Sequence, residues 1–307
     1  MSAPVATTGT LVARRAAGIY HVLTIAAPDI VDAAVPGQFV SVGVGAPGTL
    51  LRRPFAIAGV DRAAGVLDLV IAVVGRGSTW LVERPMSTTL DLTGPLGTGF
   101  AVPGEPTRCL LVGGGYGVAA LVWLAGRLVG VGHTVEVLSG ARSATALYPV
   151  AQEDALTLHE VGSRDRPPTL HEVTEDGSRG RRGVVTDVLV DRLAAGGDAA
   201  LFACGPMPML AAVARVAEAR GTSCQVAVEE HMGCSVGVCM TCVVPAGRSY
   251  LRACIDGPVL DATRVDWASA LDRHPGPSPE SRGSVALLTP SEVLRDDQAP
   301  QMGRDHP

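Results

Sequence analysis

Short apolar runs separated by turn-forming residues dominate the first hundred positions. Residues 18–25, 38–42 and 66–74 are rich in β-branched side chains, and Gly and Pro lie between them. Short strands at such regular spacing predict a small antiparallel barrel from about residue 10 to residue 100. Two halves of a β-sandwich fit the same spacing, so the pattern leaves that alternative open.

A different pattern follows the Pro-containing stretch 102–106. Residues 109–112 form a continuous apolar run typical of a buried strand, and a Gly-rich turn and an apolar helix at 118–128 come after it. Strand and helix then alternate, which predicts a parallel, doubly wound α/β sheet. The further predicted elements are strands at 134–139, 156–161 and 200–203 and helices at 185–193 and 208–220.

The chain after residue 224 is rich in Cys and Gly up to about residue 267, and beyond it Pro, Ser, Asp and Arg mix without periodicity. Low periodicity and high polarity predict a disordered tail. The expected division is therefore a β-barrel domain at 1–103, an α/β domain at 104–224, a Cys-rich segment at 225–272 and a tail at 273–307.

Composition limits the classes of partner. The 307 residues are 47% hydrophobic, enough for packed cores in about two folding units, and the net charge is −5 with Arg as the only basic residue besides His. Such a chain has no basic excess for nucleic acid. The mean hydropathy is +0.29, yet the uncharged runs 33–51 and 109–126 contain Pro or consecutive Gly and predict core rather than a membrane span. The N-terminus shows no secretory pattern, so we expect a cytoplasmic protein.

Four of the seven cysteines crowd into one short segment. Cys234, Cys239, Cys242 and Cys254 are spaced C-x4-C-x2-C-x11-C, and the first three follow the spacing of plant-type ferredoxins. Four thiolates with Gly between them indicate a 2Fe-2S cluster, because the loop must wrap closely around the inorganic core. Zinc is the alternative, although structural zinc usually shows two C-x2-C pairs.

The other three cysteines carry a weaker signal. Cys109 and Cys224 lie in or beside predicted strands and are interpreted as small core residues. Cys204 ends a predicted strand at the edge of the sheet where ligands bind, so core packing and ligand contact are equally consistent with its position.

Two glycine loops and an arginine suit phosphate groups. Residues Gly113 to Gly115 follow a strand and open a helix, where backbone N–H groups can hold a pyrophosphate, although a tight turn alone explains them too. Arg53 can pair with a phosphate, and the run 75–79 supplies glycines and hydroxyls ahead of a helix predicted from Trp80. Arg142 is consistent with pairing to an NADP 2′-phosphate and equally with exposure to solvent, so the choice between NAD and NADP stays open.

In this order the motifs resemble the ferredoxin-reductase superfamily, most closely the electron-transfer subunits of NAD-dependent dihydroorotate dehydrogenase. The resemblance spans about residues 10 to 267, and the C-terminal position of the cysteines is its most specific feature. It is carried by Pro36-Gly37-Gln38-Phe39, Arg53-Pro54-Phe55-Ala56, Gly75-Arg76-Gly77-Ser78, Gly94-Pro95-Leu96-Gly97, Gly113-Gly114-Gly115, Cys204-Gly205-Pro206, Glu229-Glu230-His231-Met232, the four clustered cysteines and Asp256-Gly257-Pro258.

The resemblance implies a role for each motif. FAD would be lined by Arg53, Pro54, Phe55 and Ala56, flanked by the backbone of Val70, Ile71 and Ala72, and held at its pyrophosphate by Gly77 and Ser78. NAD(H) would contact Gly113, Gly114, Gly115, Cys204, Gly205 and Pro206, and the four clustered cysteines would bind the 2Fe-2S cluster. Ala56 stands where the family usually has Ser or Thr, so one hydroxyl beside the flavin is absent.

The function implied by the resemblance is electron transfer between NAD(H) and the FMN of a separate catalytic subunit that oxidises dihydroorotate to orotate in pyrimidine biosynthesis, within a heterotetramer. The sequence shows no evident pair of side chains for acid–base catalysis. This agrees with a protein whose cofactors carry out the redox chemistry. Glu229 and His231 are accordingly interpreted as structural or electrostatic. A reductase subunit for another partner (ferredoxin, a hydrogenase or a glutamate synthase-like enzyme) shares these motifs, and a redox sensor is a further alternative.

Overall fold

The N-terminal strands close into a barrel in the computed structural model, which describes residues 3–150 and 167–274. Its order is β1-β2-β5-β4-β3-β6, and every neighbouring pair is antiparallel. Alternate residues such as Leu11, Ile25 and Ile57 fill its interior. The barrel is therefore confirmed over the sandwich. The strands are β1 (Val5–Ala17), β2 (Tyr20–Ala26), β3 (Phe39–Val42), β4 (Arg53–Asp61), β5 (Val66–Ile71) and β6 (Thr89–Leu96).

Two short helices belong to this domain, and one corrects the sequence prediction. Helix α1 (Pro28–Val31) packs against the barrel, and α2 (Arg76–Val82) begins four residues before the predicted start at Trp80. The earlier start has a local cause. The Ser78 hydroxyl accepts hydrogen bonds from the backbone N–H groups of Val74 and Gly75, at 3.0 and 3.2 Å, and so caps the first turn.

The second domain is a sheet covered by helices, as predicted. Six strands run parallel in the order β10-β9-β8-β7-β11-β12. None of the helices within residues 3–150 and 167–274 combines the length and apolar character needed to cross a membrane. The elements are β7 (Arg108–Gly114), α3 (Val118–Gly130), β8 (Thr134–Ala141), β9 (Thr169–Thr174), β10 (Arg181–Arg182), α4 (Val185–Ala194), β11 (Ala199–Cys204), α5 (Met207–Arg220) and β12 (Ser223–Ala227).

Three strands of this sheet, β9, β10 and β12, were not among the predicted elements. The predicted strand at 156–161 lies outside the described residues. Only the last two residues of β9, Val173 and Thr174, are buried, so its sequence TLHEVT lacks the continuous apolar run that marked the central strands.

The cysteine-rich segment joins the sheet by its last strand. A two-stranded hairpin, β13 (Val243–Ala246) with β14 (Ser249–Arg252), is followed by β15 (Val259–Asp261) and helix α6 (Trp267–Arg273). Strand β15 pairs antiparallel with β12, with Ala227 opposite Val259. The segment therefore leaves the sheet after β12 and returns beside it.

The three parts share cores and hydrogen bonds. Helix α3 packs against β4, and its Trp123 lies in the barrel core while its neighbours pack on the sheet. Thr98, just past β6, donates its N–H to the Gly257 carbonyl at 2.6 Å and its hydroxyl to the Val259 carbonyl at 3.0 Å. Barrel, sheet and cysteine segment are thus packed directly against each other.

Candidate cofactor sites

The cysteine loop directs hydrogen-bond donors at sulfur. Cys234 Sγ accepts the backbone N–H groups of Val236, Val238 and Cys239 at 3.3–3.5 Å. The Thr241 hydroxyl donates to Cys239 Sγ at 3.0 Å. Donors around a sulfur stabilise the thiolate, which is the form that binds iron.

The four thiols are arranged two by two. Hydrogen bonds from Thr241 and then from Cys234 lower the pKa of Cys239 to about 6. Burial and then the adjoining Cys242 raise the pKa of Cys254 to about 12. In the described residues no three His, Cys, Asp or Glu side chains are placed to hold a single metal ion. A Cys-ligated 2Fe-2S core needs four thiolates shared between two irons, and this loop supplies four cysteines with hydrogen-bond donors aimed at two of the sulfurs, so the residues present fit that group.

A tight turn and an ion pair shape this loop. Gly237 has φ +80°, and a Cβ there would lie 2.7 Å from Ile255 Cγ1, so only glycine fits. The backbone N–H of Arg252 donates to Asp256 Oδ2 at 2.8 Å, and the Arg252 guanidinium donates to the Gly237 carbonyl at 3.4 Å. The ligand loop is therefore held from the side of β14.

The two predicted nucleotide loops converge at the carboxyl edge of the sheet. Cys204 at the end of β11 pairs with Gly113 at the end of β7. A Cβ on Gly205 would lie 3.0 Å from Gly114 Cα, and one on Gly117 would lie 2.6 Å from the Cys204 carbonyl. The loops touch backbone to backbone, and this cradle of glycines suits a pyrophosphate.

Three titratable side chains that the sequence does not group together meet beside these loops. The Tyr116 hydroxyl donates to Glu229 Oε1 at 2.8 Å. Burial and the Glu229 carboxylate raise the pKa of the Cys204 thiol to about 12. The sequence gives one signal of this junction, since an aromatic residue is unexpected inside a glycine loop.

Cys109 and Cys224 are buried core residues, as predicted.

The predicted flavin residues lie along neighbouring strands. Ile57 of β4 pairs with Leu69 of β5, which places Ala56 opposite Val70, and Ala56 is exposed. The Ile71 side chain points into the barrel core, so its backbone is the part available to a ligand.

Arg53 and the second glycine motif face each other. A Cβ on Gly77 would lie 3.0 Å from Arg53 Nε, so the guanidinium lies directly over this glycine. Two phosphate-type motifs, separated in sequence, therefore form one cationic cradle that fits the pyrophosphate of a dinucleotide such as FAD.

Gly117→Ala should weaken NAD⁺ binding about tenfold, because the new methyl group must push the Gly-rich loop away from the Cys204 carbonyl. Isothermal titration of the oxidised protein with NAD⁺ measures the dissociation constant without flavin reduction. Gly104→Ala is the matched control, since a Cβ there meets nothing within 4 Å. Equal affinity for NAD⁺ in the two variants would contradict the placement of the nucleotide.

Known proteins match this chain in sequence and in structure. Residues 229–266 match the family described as the iron-sulfur cluster binding domain of dihydroorotate dehydrogenase B. The dihydroorotate dehydrogenase B (NAD(+)) electron transfer subunits of Desulforamulus reducens and Geobacillus kaustophilus are 34% and 36% identical, over 78% and 79% of this chain and 90% and 91% of those proteins.

Solved structures repeat the fold. The NADH-dependent reduced ferredoxin-NADP oxidoreductase superposes with a TM-score of 0.72 and 27% identity, over 86% of this chain and 92% of that one. The ferredoxin reductase of carbazole 1,9a-dioxygenase superposes with a TM-score of 0.59 at 23% identity, over 71% and 67%, and shows likeness of fold alone.

A closed barrel, a nucleotide-type sheet and a paired-cysteine loop together define a reductase of the ferredoxin-reductase class with an iron-sulfur segment, an electron-transferring oxidoreductase. Within that class, the chain belongs to the family of dihydroorotate dehydrogenase B (NAD(+)) electron transfer subunits. The predicted family and fold class are confirmed.

The predicted cofactors FAD, a 2Fe-2S cluster and NAD(H) are likewise confirmed for a chain of this family. The matched family model names an iron-sulfur cluster, which favours iron over the zinc alternative. The individual residues assigned to each cofactor remain predictions.

Proposed function

We propose that this chain carries electrons between NAD(H) and the FMN of a dihydroorotate-oxidising catalytic subunit, in support of orotate formation in pyrimidine biosynthesis. The observation that supports this most directly is the direct packing of the three parts that carry the candidate sites. The nucleotide loops contact the cysteine segment through Tyr116 and Glu229, and the barrel contacts it through Thr98 and Gly257. Domains packed directly against each other suit electron transfer through one chain.

The residues of this chain bind the cofactors and orient them. Residues 1–103 would hold FAD, with Arg53 and Gly77 at its pyrophosphate, residues 104–224 would hold NAD(H), and residues 225–272 would hold the cluster. Together these groups supply conversion between two-electron and one-electron transfer when bound. Hydrogen-bond donors around Cys234 and Cys239 stabilise the thiolates, and the glycine cradle positions the dinucleotide.

The surface of the cysteine loop supports docking of a partner. Val238 is 79% exposed, and Val236, Met240 and Ile255 are each at least 40% exposed around the ligand cysteines. Exposed apolar side chains around a redox centre are typical of an interface. The proposed partner is the FMN-containing catalytic subunit, in a heterotetramer with two copies of each chain.

Reconstitution tests this proposal. The holoprotein, mixed with the catalytic subunit of a dihydroorotate dehydrogenase B of this family, should couple dihydroorotate oxidation to NAD⁺ reduction, followed at the NADH absorbance band. Neither subunit alone should do so. A complex that forms and shows no coupling would reject the pathway assignment.

One observation favours a second candidate, a reductase subunit that serves a ferredoxin. The structural neighbour with a TM-score of 0.72 is a ferredoxin-NADP oxidoreductase. Faster NADH-dependent reduction of a ferredoxin than of the catalytic subunit, at equal partner concentration, would favour this candidate over the first.

Arg53→Ala should weaken FAD binding on the order of 10- to 100-fold, because it removes a charge-assisted pair to the pyrophosphate. Flavin released during gel filtration, measured against protein concentration, reports the loss. Arg127→Ala, at an exposed position of α3, is the matched control with unchanged flavin content. Full flavin retention in Arg53→Ala would place the pyrophosphate elsewhere.

A further inference from the structure

One side chain bridges the gap between the barrel and the sheet. The Tyr116 ring packs edge-on against Tyr20 of β2, with centroids 5.8 Å apart and planes at 62°. Its hydroxyl donates to Glu229 Oε1 at 2.8 Å, on the segment that leads to the cluster cysteines. Tyr116 therefore contacts barrel and cysteine segment at once, from a position inside the nucleotide loop.

Both contact partners of Tyr116 are next to, or are themselves, buried residues with hydrogen bonds of their own. Tyr20 is buried and donates its hydroxyl to the Ala146 carbonyl at 2.7 Å. Glu229 precedes Glu230, which is buried and accepts a 2.8 Å contact from His274 Nε2. Burial, with Glu229 next, raises the pKa of Tyr116 well above its usual value, so the phenol keeps its proton and donates.

The bridge lies between the predicted flavin strands and the predicted nucleotide loops. His21 pairs with Ile71, so Tyr20 lies beside Ala72, one of the residues expected to flank FAD. The two glycine loops touch backbone to backbone and leave no room between them. Tyr116 itself stands on the Gly113 to Gly117 loop, between these loops and Tyr20, so a nicotinamide ring that extends from the nucleotide loops toward the flavin strands would meet it.

We propose that Tyr116 is a gate in the nicotinamide path: the nicotinamide ring reaches the flavin-flanking strands only when the Tyr116 side chain leaves Glu229 and Tyr20. This inference rests on the proposed function and adds to it a residue that controls access. Tyr116 itself remains 38% exposed, so its ring has solvent to move into. Its neighbours Gly115, with φ +54°, and Gly117 supply a backbone that can turn.

The closed gate lowers the affinity for the dinucleotide. If the open state is a minor fraction of the free protein, the measured dissociation constant exceeds the intrinsic one by the inverse of that fraction. Removing the Tyr116 to Glu229 hydrogen bond raises the open fraction. Tyr116→Phe, which keeps the ring and loses only the hydroxyl, should therefore bind NAD⁺ about tenfold more tightly than the wild type.

Calorimetric titration of the oxidised holoprotein with NAD⁺ measures this effect without turnover. Glu229→Ala removes the acceptor from the other side and should lower the dissociation constant similarly. Tyr250→Phe, at a 63% exposed tyrosine of β14, is the matched control with wild-type affinity. Flavin absorbance and iron content confirm that each variant is loaded.

An unchanged or higher dissociation constant in Tyr116→Phe would overturn the gate while leaving the proposed function intact. Absence of NAD⁺ binding in the wild type would overturn the proposed function, and the gate with it.

Discussion

Cys254→Ser is expected to yield a protein that keeps FAD and lacks the cluster. Cys254 is fully buried beside Cys242, and a serine hydroxyl in that place is a harder ligand that stays protonated at neutral pH. Iron content should fall from about two per chain to nearly none, and the electron paramagnetic resonance signal of the reduced 2Fe-2S cluster should vanish. Electron transfer to the catalytic subunit should fall at least about 100-fold.

NADH-dependent reduction of a two-electron dye should survive this substitution, because it needs only the nucleotide and flavin sites. Cys224→Ser is the matched control: that thiol is also buried, at 6% exposure, but lies in β12 outside the cysteine loop. It should keep its iron. A full complement of iron in Cys254→Ser would show that Cys254 is not a ligand.

Glu136→Ala should strongly destabilise the sheet domain. Glu136 of β8 is 5% exposed and binds Arg108 Nε at 2.8 Å, Arg192 Nε at 2.7 Å and His171 Nε2 at 3.1 Å. Removing the carboxylate leaves two guanidinium groups facing each other in a partly buried site. A loss of about 3–5 kcal/mol is expected, which lowers the melting temperature by roughly 10 °C.

Asp191→Ala is the matched control for this network. It removes the ion pair with Arg181, whose side chains are 50% and 61% exposed, and should cost under about 1 kcal/mol. Scanning calorimetry at pH 7 compares the two variants. Equal melting temperatures would show that the buried network adds no more than a surface pair.

The pH dependence of this difference has a definite sign. Burial by itself raises the pKa of Glu136, but hydrogen bonds from Arg192 and Arg108 outweigh it and hold the pKa below its usual value. A carboxylate with a lowered folded-state pKa stabilises the fold above its unfolded pKa and loses that effect as pH falls through the folded value. The stability gap between wild type and Glu136→Ala should stay constant from pH 8 to about pH 5 and shrink below about pH 4.

Local sequence signals predicted most of the architecture. Strands β7 and β11 and helix α3 carry continuous apolar runs between glycine turns, and such runs identify buried elements without tertiary information. Strand β9 was not predicted because only its last two residues are buried. Strand β15 was not predicted because its three residues are too few to show a periodic pattern. Its pairing with β12 also joins residues far apart in the sequence.

The candidate sites divide in the same way. The cysteine loop is local, so its spacing alone indicated an iron-sulfur centre, and the structure adds the arrangement in pairs. The overlay of Arg53 on Gly77 and the Tyr116 to Glu229 bridge join residues 24 and 113 positions apart. The first contact depends on how α2 folds back on β4 and the second on how the cysteine segment packs beside the sheet, and no local pattern contains either.

The return of the cysteine segment beside β12 has a consequence for how such proteins can be rebuilt. Its two ends, Ala227 and Val259, face each other as partners on antiparallel strands, so topologically the whole cluster-binding unit is an insertion in the loop of a β-hairpin. A two-residue turn is enough to join strands paired in this way. Gain or loss of the iron-sulfur centre in this fold is therefore a change within one loop, and the flavin and nucleotide domains need no new connection.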